Sequence, residues 1–239
     1  MTTEAAHHDR TTGATDAAEP VEAIKAEGTR QLHRNGALVL TPESVRTALG
    51  MTATDFARHF ASRDALLTAL VVDAYDGMGE RAEQAVRESA AADAAPLARW
   101  VAVCRAVRDW ATDHPQEYEL IYGTNIPGYD APPETMVAGA RTAMALIGTL
   151  QHAAEQGALE TGEQEELPGP VADAVRGLAE GMAQGLPEPV VARLLVAWTQ
   201  LFGMTGFSVF GHIAAFGEDP AAFVDHAAAA MGRYVGVRG

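Results

Sequence analysis

The chain is poor in cysteine, in positive charge and in anything that reads as a strand, and each shortage removes a class of protein. Its one cysteine, Cys104, cannot build an intramolecular disulfide framework or a cysteine-based zinc site. On an apolar helix face it reads as an inert thiol. Lys and Arg total 17 against 32 Asp and Glu, for a net charge of -15. A protein that coats nucleic acid in general carries the opposite balance. No Gly-rich phosphate loop follows a strand, and no metal-ligand spacing links His33, His59, His114, His152, His212 and His226. Neither catalysis nor a metal nor a cofactor is therefore expected, and His7 and His8 read as solvated. No apolar h-region lies near the N-terminus, so a secretory signal is not expected and the cytoplasm is the expected location. Residues 194–216 contain no Asp, Glu, Lys or Arg and could span a ~30 Å hydrocarbon core. Thr199, Gln200, Thr205, Ser208 and His212 interrupt them and no basic cluster flanks them, so the expectation is a buried helix and no membrane.

The 239 residues, 48% apolar and 21% charged, suit a soluble protein of one large or two small domains. Residues 1–20 have no periodicity and are expected to be a disordered tail. Helical spacing of apolar residues predicts helices over 21–34, 62–89, 96–114, 116–123, 134–156, 170–184, 189–215 and 220–235. Within 62–89, Gly77 and Gly79 imply a bend or a close contact. The Pro- and Gly-rich stretch 125–133 is a loop, and 159–169, with Glu160, Glu163, Glu165 and Glu166, is an acidic linker. No alternating pattern of useful length appears, so the fold class is all-α.

The densest punctuation lies in 41–67. Thr41 is a good N-cap and Pro42 follows at the first helical position. Gly50 stands where a helix ends in a left-handed residue. Thr52 opens the next helix with Asp55 in a capping-box pattern, and Ser62 caps a third. Short helix, tight turn, short helix is the layout of a helix-turn-helix, whose second helix enters a DNA major groove. Charge is locally permissive: Lys25, Arg30, Arg34, Arg46, Arg58 and Arg63 face Glu22, Glu27, Glu43, Asp55 and Asp64, leaving 21–67 near neutral on an acidic body.

The run Arg58-His59-Phe60-Ala61-Ser62-Arg63-Asp64-Ala65-Leu66-Leu67, with Asn35-Gly36, Thr41, Val45, Gly50 and Phe56 upstream, resembles the N-terminal signature of the TetR/AcrR transcriptional regulators. Trp110 to Pro115, Tyr118, Tyr122-Gly123 and the Ile126-Pro127-Gly128-Tyr129 loop resemble the WHG-type C-terminal domain of that family. The resemblance implies a helix-turn-helix DNA-binding domain at 21–67 and a ligand-binding and dimerisation domain at 68–239. It further implies a homodimer on a double-stranded DNA operator, released by a small-molecule effector. Residues expected at DNA are Thr41, Thr52, Ala53, Thr54, Arg58 and His59, with Arg63 meeting the backbone at the next helix N-terminus. Trp100, Cys104, Trp110, Tyr118, Tyr122, Met144 and Trp198 could line the ligand pocket. Leu195, Trp198, Phe202, Gly206, Phe210, Phe223 and Ala227 are expected in the dimer interface.

Four departures bear on DNA contact. Where the family commonly has Ser-Lys-Gly-Thr-Leu-Tyr, this chain has Thr52-Ala53-Thr54-Asp55-Phe56-Ala57, so a Lys and a Tyr are alanines and an acid replaces a hydroxyl. Arg46 stands where the family has a small residue. Each lost phosphate contact removes a counterion-release contribution. The leading expectation is a ligand-responsive repressor, and the rival is a dimer of the same fold that binds ligand or protein with weakened or lost DNA reading.

Overall fold

Thr41, Thr52 and Asp219 cap the starts of three helices with their side chains. The computed structural model describes residues 12–123, 125–163, 166–216 and 219–239. In order the helices are α1 (Thr12–Asn35), α2 (Pro42–Ala48), α3 (Ala53–Ala57), α4 (Arg63–Ala91), α5 (Pro96–Asp113), α6 (Pro115–Tyr122), α7 (Glu134–Glu155), α8 (Gly169–Glu180), α9 (Glu188–Val209) and α10 (Pro220–Val235). Short 3-10 turns occupy Ala37–Val39 and His212–Phe216. Among the described residues there is no strand, only an isolated antiparallel bridge between Leu159 and Val237, and the fold is all-α as expected.

Two expectations need correction. Helix α1 runs back to Thr12, into the stretch expected to be tail, because Ala14, Ala17 and Ala18 are the strongest of helix formers; residues 1–11, with His7 and His8, lie outside the described residues. The apolar stretch 194–216 is not one helix. Helix α9 stops at Val209 and Gly211 takes a left-handed φ of 77° before the 3-10 turn. By length and composition α9 could cross a membrane, yet only a third of its most apolar window is buried, so the expected buried helix has an open face.

The chain divides into two compact units. The first takes the described residues up to Ala74 together with Gln116–Thr135; the second takes Tyr75–Pro115 and Met136–Gly239. This division differs from domains of 21–67 and 68–239: the compact first unit extends past Leu67 to Ala74 and takes in α6 and the loop after it. The reason is packing: Ile126 is buried among Ile24, Leu40, Val45, Phe56, Phe60, Leu66, Leu67 and Leu70, with Leu120 and Tyr129 against them. The Tyr129 hydroxyl pairs with Thr68 at 3.1 Å, and His33 Nε2 meets Glu117 at 2.6 Å.

In the second unit α5 is central, packing on α9 and α10 through Trp100, Val103, Cys104, Val107 and Ala111. The Trp100 indole donates to the Ala228 carbonyl at 2.9 Å. A Cβ at Gly232 would stand 2.7 Å from Leu97 and 2.8 Å from Trp100, so α10 approaches α5 only because that position is bare. Helix α4 runs unbroken past Gly77 and Gly79, which are close-contact positions: added Cβ atoms would lie 3.2 Å from the Trp110 ring and 2.6 Å from Arg141 Cβ. Arg141 on α7 bridges both Glu83 oxygens at 2.8 Å and Asp76 at 2.7 Å on α4. The C-terminal residues are tied in. The Gly236 carbonyl accepts from Glu160 N at 2.8 Å, Arg238 N donates to Ala158 O at 2.9 Å, and Arg193 donates to the carbonyls of Val235, Glu160 and Thr161.

Candidate nucleic-acid interface and apolar faces

Local chemistry builds the helix-turn-helix from the N-cap outward. The Thr41 side chain accepts from Ser44 N at 3.1 Å in a capping box, and Ser44 Oγ donates to Gln31 at 2.6 Å. Gln31 in turn donates to Glu27 at 2.9 Å, and Glu27, only 5% exposed, also accepts from Arg30 and Arg34. The Gln31 amide, then the two arginines, hold the Glu27 carboxyl below its ordinary range. A buried charge is tolerated because every neighbour is a donor. This relay fixes the start of α2 on α1, and nothing in the spacing of 21–34 announced it.

Gly50 turns the chain with φ 66°. Thr52 then caps α3, accepting from Asp55 N at 3.1 Å while its hydroxyl donates to Asp55 Oδ2 at 2.6 Å. Helix α3 is only five residues long. Phe56 is buried beneath it, against Phe60 at a ring separation of 6.0 Å. Thr41, Thr52, Ala53, Thr54 and Arg58 are exposed and His59 is half-buried. Arg58 pairs with Asp55 at 2.9 Å. The Thr52 hydroxyl, followed by Arg58, keeps the Asp55 carboxyl below its usual range.

Arg63 departs from expectation. Its Nε donates to Leu40 O at 2.8 Å and an Nη to Ala37 O at 3.0 Å and Leu38 O at 3.3 Å. The guanidinium satisfies carbonyls of the 3-10 turn leading into α2, so it braces the motif instead of facing outward. Sequence spacing could not reveal this, because the three acceptors are backbone atoms.

The residues expected to line a ligand pocket are distributed over both units. Trp100, Cys104 and Trp110 are buried in the second unit, and Trp110 stacks on His114 at 5.1 Å. Burial pushes the Cys104 thiol far above its ordinary range. Tyr118 and Tyr122 belong to the first unit, with rings 5.4 Å apart, and burial pushes the Tyr118 phenol up to about 12. Met144 lies on an open α7 face with Met136 and Val137. Trp198 packs on Phe202 at 4.5 Å. The spacing rule that found these residues selects buried faces, and burial alone does not make a cavity.

A concavity of about 750 Å³ opens between α9 and α10. Val196, Thr199, Gly203 and Phe207 line it from α9, and Phe223, Ala227 and Tyr234 from α10. Phe207 is 48% exposed and Phe223 38%. Of the residues expected in an interface, Phe223 and Ala227 are here and Phe210 is exposed, whereas Leu195, Trp198, Phe202 and Gly206 are half-buried. The open stripe of α9 sits one residue further along, a rotation of about 100° on a helix. The spacing Val196, Thr199, Gly203, Phe207 was the signal that could have found it.

Comparison with known proteins agrees with this geometry. Residues 100–231 match the family described as Tetracyclin repressor-like, C-terminal domain. The HTH-type transcriptional regulator Rv1816 of Mycobacterium tuberculosis is 32% identical over 209 residues, covering 84% of this chain and 85% of the relative. Mb1846 of Mycobacterium bovis, also an HTH-type transcriptional regulator, matches to the same extent. The crystal structure of the protein SCO4313 superposes with a TM-score of 0.69 at 26% identity, covering 91% of this chain and 97% of that one. A TetR-family regulatory protein from Rhodococcus RHA1, at 13% identity and a TM-score of 0.57, covers 92% of this chain and 98% of its own and shares the fold. The relatives are regulators and not enzymes. A capped helix-turn-helix followed by a helical domain of this kind places the chain in the TetR family of transcriptional regulators.

Proposed function

We propose that this TetR-family member is a cytoplasmic, ligand-responsive repressor that binds a partly palindromic operator as a homodimer and leaves it when a small molecule binds. The observation that carries the reading is the exposed row Thr52, Ala53, Thr54 and Arg58 on a short helix, set by the Thr41 and Thr52 caps and by Gly50. Such a helix reads base edges in a major groove. The exposed apolar faces of α9 and α10 supply a self-complementary surface for a two-fold dimer, which would set the half-site spacing. Membership of the family supports the effector, whose binding would favour a dimer geometry that no longer matches successive grooves. Residues 21–67 are the proposed reader, and 68–239, less α6 and its following loop, the proposed ligand and dimer domain. Gel-shift and footprinting against the protein's own promoter region test this. The expected result is a sequence-specific, salt-sensitive complex at low ionic strength, and its absence overturns the reading. A thermal-shift screen tests the effector, since a ligand at 100 times its Kd adds ~2.7 kcal/mol.

A second reading, a dimer that keeps the fold and has lost DNA reading, is favoured by Asp55 and by Ala53 and Ala57 beside it. Replacing them by Lys, Thr and Tyr (Ala53→Lys, Asp55→Thr, Ala57→Tyr) discriminates: DNA binding that arises from none would favour this second reading.

A further inference from the structure

Each basic side chain between residues 21 and 67 is already bonded within the chain. Lys25 holds Asp73 and Glu22 at 3.0 Å. Arg30 and Arg34 meet Glu27, Arg46 meets Glu43 at 3.2 Å, Arg58 meets Asp55 at 2.9 Å, and Arg63 caps backbone carbonyls. In both pairs the partners are three residues apart, so an acid stands beside the arginine of α2 and beside Arg58, the residue that follows α3 as its C-cap. The two acids differ in freedom. Glu43 is a long exposed side chain, whereas Asp55 is short and is held by the Thr52 hydroxyl at 2.6 Å. It cannot swing away as DNA arrives.

A fixed carboxylate beside an exposed arginine acts unequally on different DNA. An exposed ion pair is weak, so an acceptor that fits the guanidinium fork and is not repelled by the neighbouring carboxylate can replace it. A phosphate offers Arg58 nothing that Asp55 does not, and the carboxylate repels it. A guanine edge offers O6 and N7 in the fork geometry of a guanidinium and carries no net charge. Resting on the reading of α2 and α3 as a DNA reader, we propose that Asp55 is a specificity-determining residue: it holds Arg58 on α3 until a guanine edge replaces it, and so suppresses binding to DNA of arbitrary sequence.

The test uses the full chain and two probes: a pool of random-sequence duplexes, and the duplexes that the wild type selects from that pool. Asp55→Asn keeps an acceptor for the Thr52 hydroxyl, and a thermal melt checks the fold; Asp55→Ser, also a competent helix-start residue, must reproduce the result. Asp55→Asn is expected to tighten binding to the random pool about five- to ten-fold and to the selected duplexes less than about two-fold. The unequal gain should vanish in the Arg58→Gln background, and Arg58→Gln alone should lose a guanine from the selected sequence. Equal gains on both probes, no gain, or a gain that survives Arg58→Gln overturns the proposal while leaving the DNA reading standing. If the wild type selects no sequence and Asp55→Asn does not bind the random pool either, the DNA reading itself fails and this inference falls with it.

Discussion

Arg63 opens α4 but directs its guanidinium backwards, donating at 2.8 Å to the carbonyl of Leu40, which immediately precedes the Thr41 cap of α2. One side chain thus joins the first turn of α4 to the entrance of the helix-turn-helix. Arg63→Lys keeps the charge and loses the fork that reaches the three carbonyls at once. It should destabilise the protein by about 1–2 kcal/mol in urea denaturation and leave the salt dependence of DNA binding unchanged. A salt slope shallower by about one contact in the charge-removing Arg63→Gln, with stability unaltered in Arg63→Lys, would instead make Arg63 a phosphate ligand.

Glu27 predicts an acid-side loss of stability. Its carboxyl is held below the ordinary value of 4.5 by Gln31, Arg30 and Arg34. Below that value the unfolded chain binds the proton first, so the unfolded state holds more protons than the native one and stability rises with pH. The contribution is fully present above the unfolded value and declines as pH falls through the folded one. Urea midpoints across this window should decline more shallowly in Glu27→Gln than in the wild type.

Gly232 separates α10 from α5 by the width of a missing methyl group. Gly232→Ala places a carbon against Leu97 and Trp100. The helix-propensity gain of roughly 1 kcal/mol should be outweighed by an overpacking cost of about 1–3 kcal/mol. The expected signs are a lower melting temperature and altered Trp100 fluorescence, as the indole loses its register with Ala228.

The α9 and α10 faces can be tested without DNA. An added Cβ at Gly203 meets nothing within 4 Å, so Gly203→Ala should stabilise the isolated chain by up to about 1 kcal/mol. Phe207→Glu should leave the fold intact and give monomers in sedimentation velocity, since burying a phenylalanine contributes about 1.5–3 kcal/mol to each copy's contact. A dimer that survives Phe207→Glu places the interface elsewhere.

The parts of the fold legible in the sequence were those set by local chemistry. Thr41-Pro42, Gly50, Thr52, Ser62 and Asp219-Pro220 each mark a boundary found within a residue or so, because caps and left-handed turns depend on neighbours a few positions away. What was missed depends on distant partners. The grouping of α6 with the first unit rests on Ile126 reaching a core built from residues 24–70. The role of Arg63 rests on three backbone acceptors. The open stripe of α9 differs from the expected one by a single residue, and choosing between them requires knowing which side α5 and α10 occupy.

The bridge between Leu159 and Val237 has a consequence for handling the protein. With Gly236 accepting from Glu160 and Arg238 paired to the Glu160 carboxylate at 2.6 Å, the last residues clasp the loop that follows α7. The clasp anchors α10 at its far end, and α10 carries half of the face argued to meet a second copy. A purification tag fused directly after Gly239, or removal of the last three residues, would therefore act on assembly as well as on the chain end.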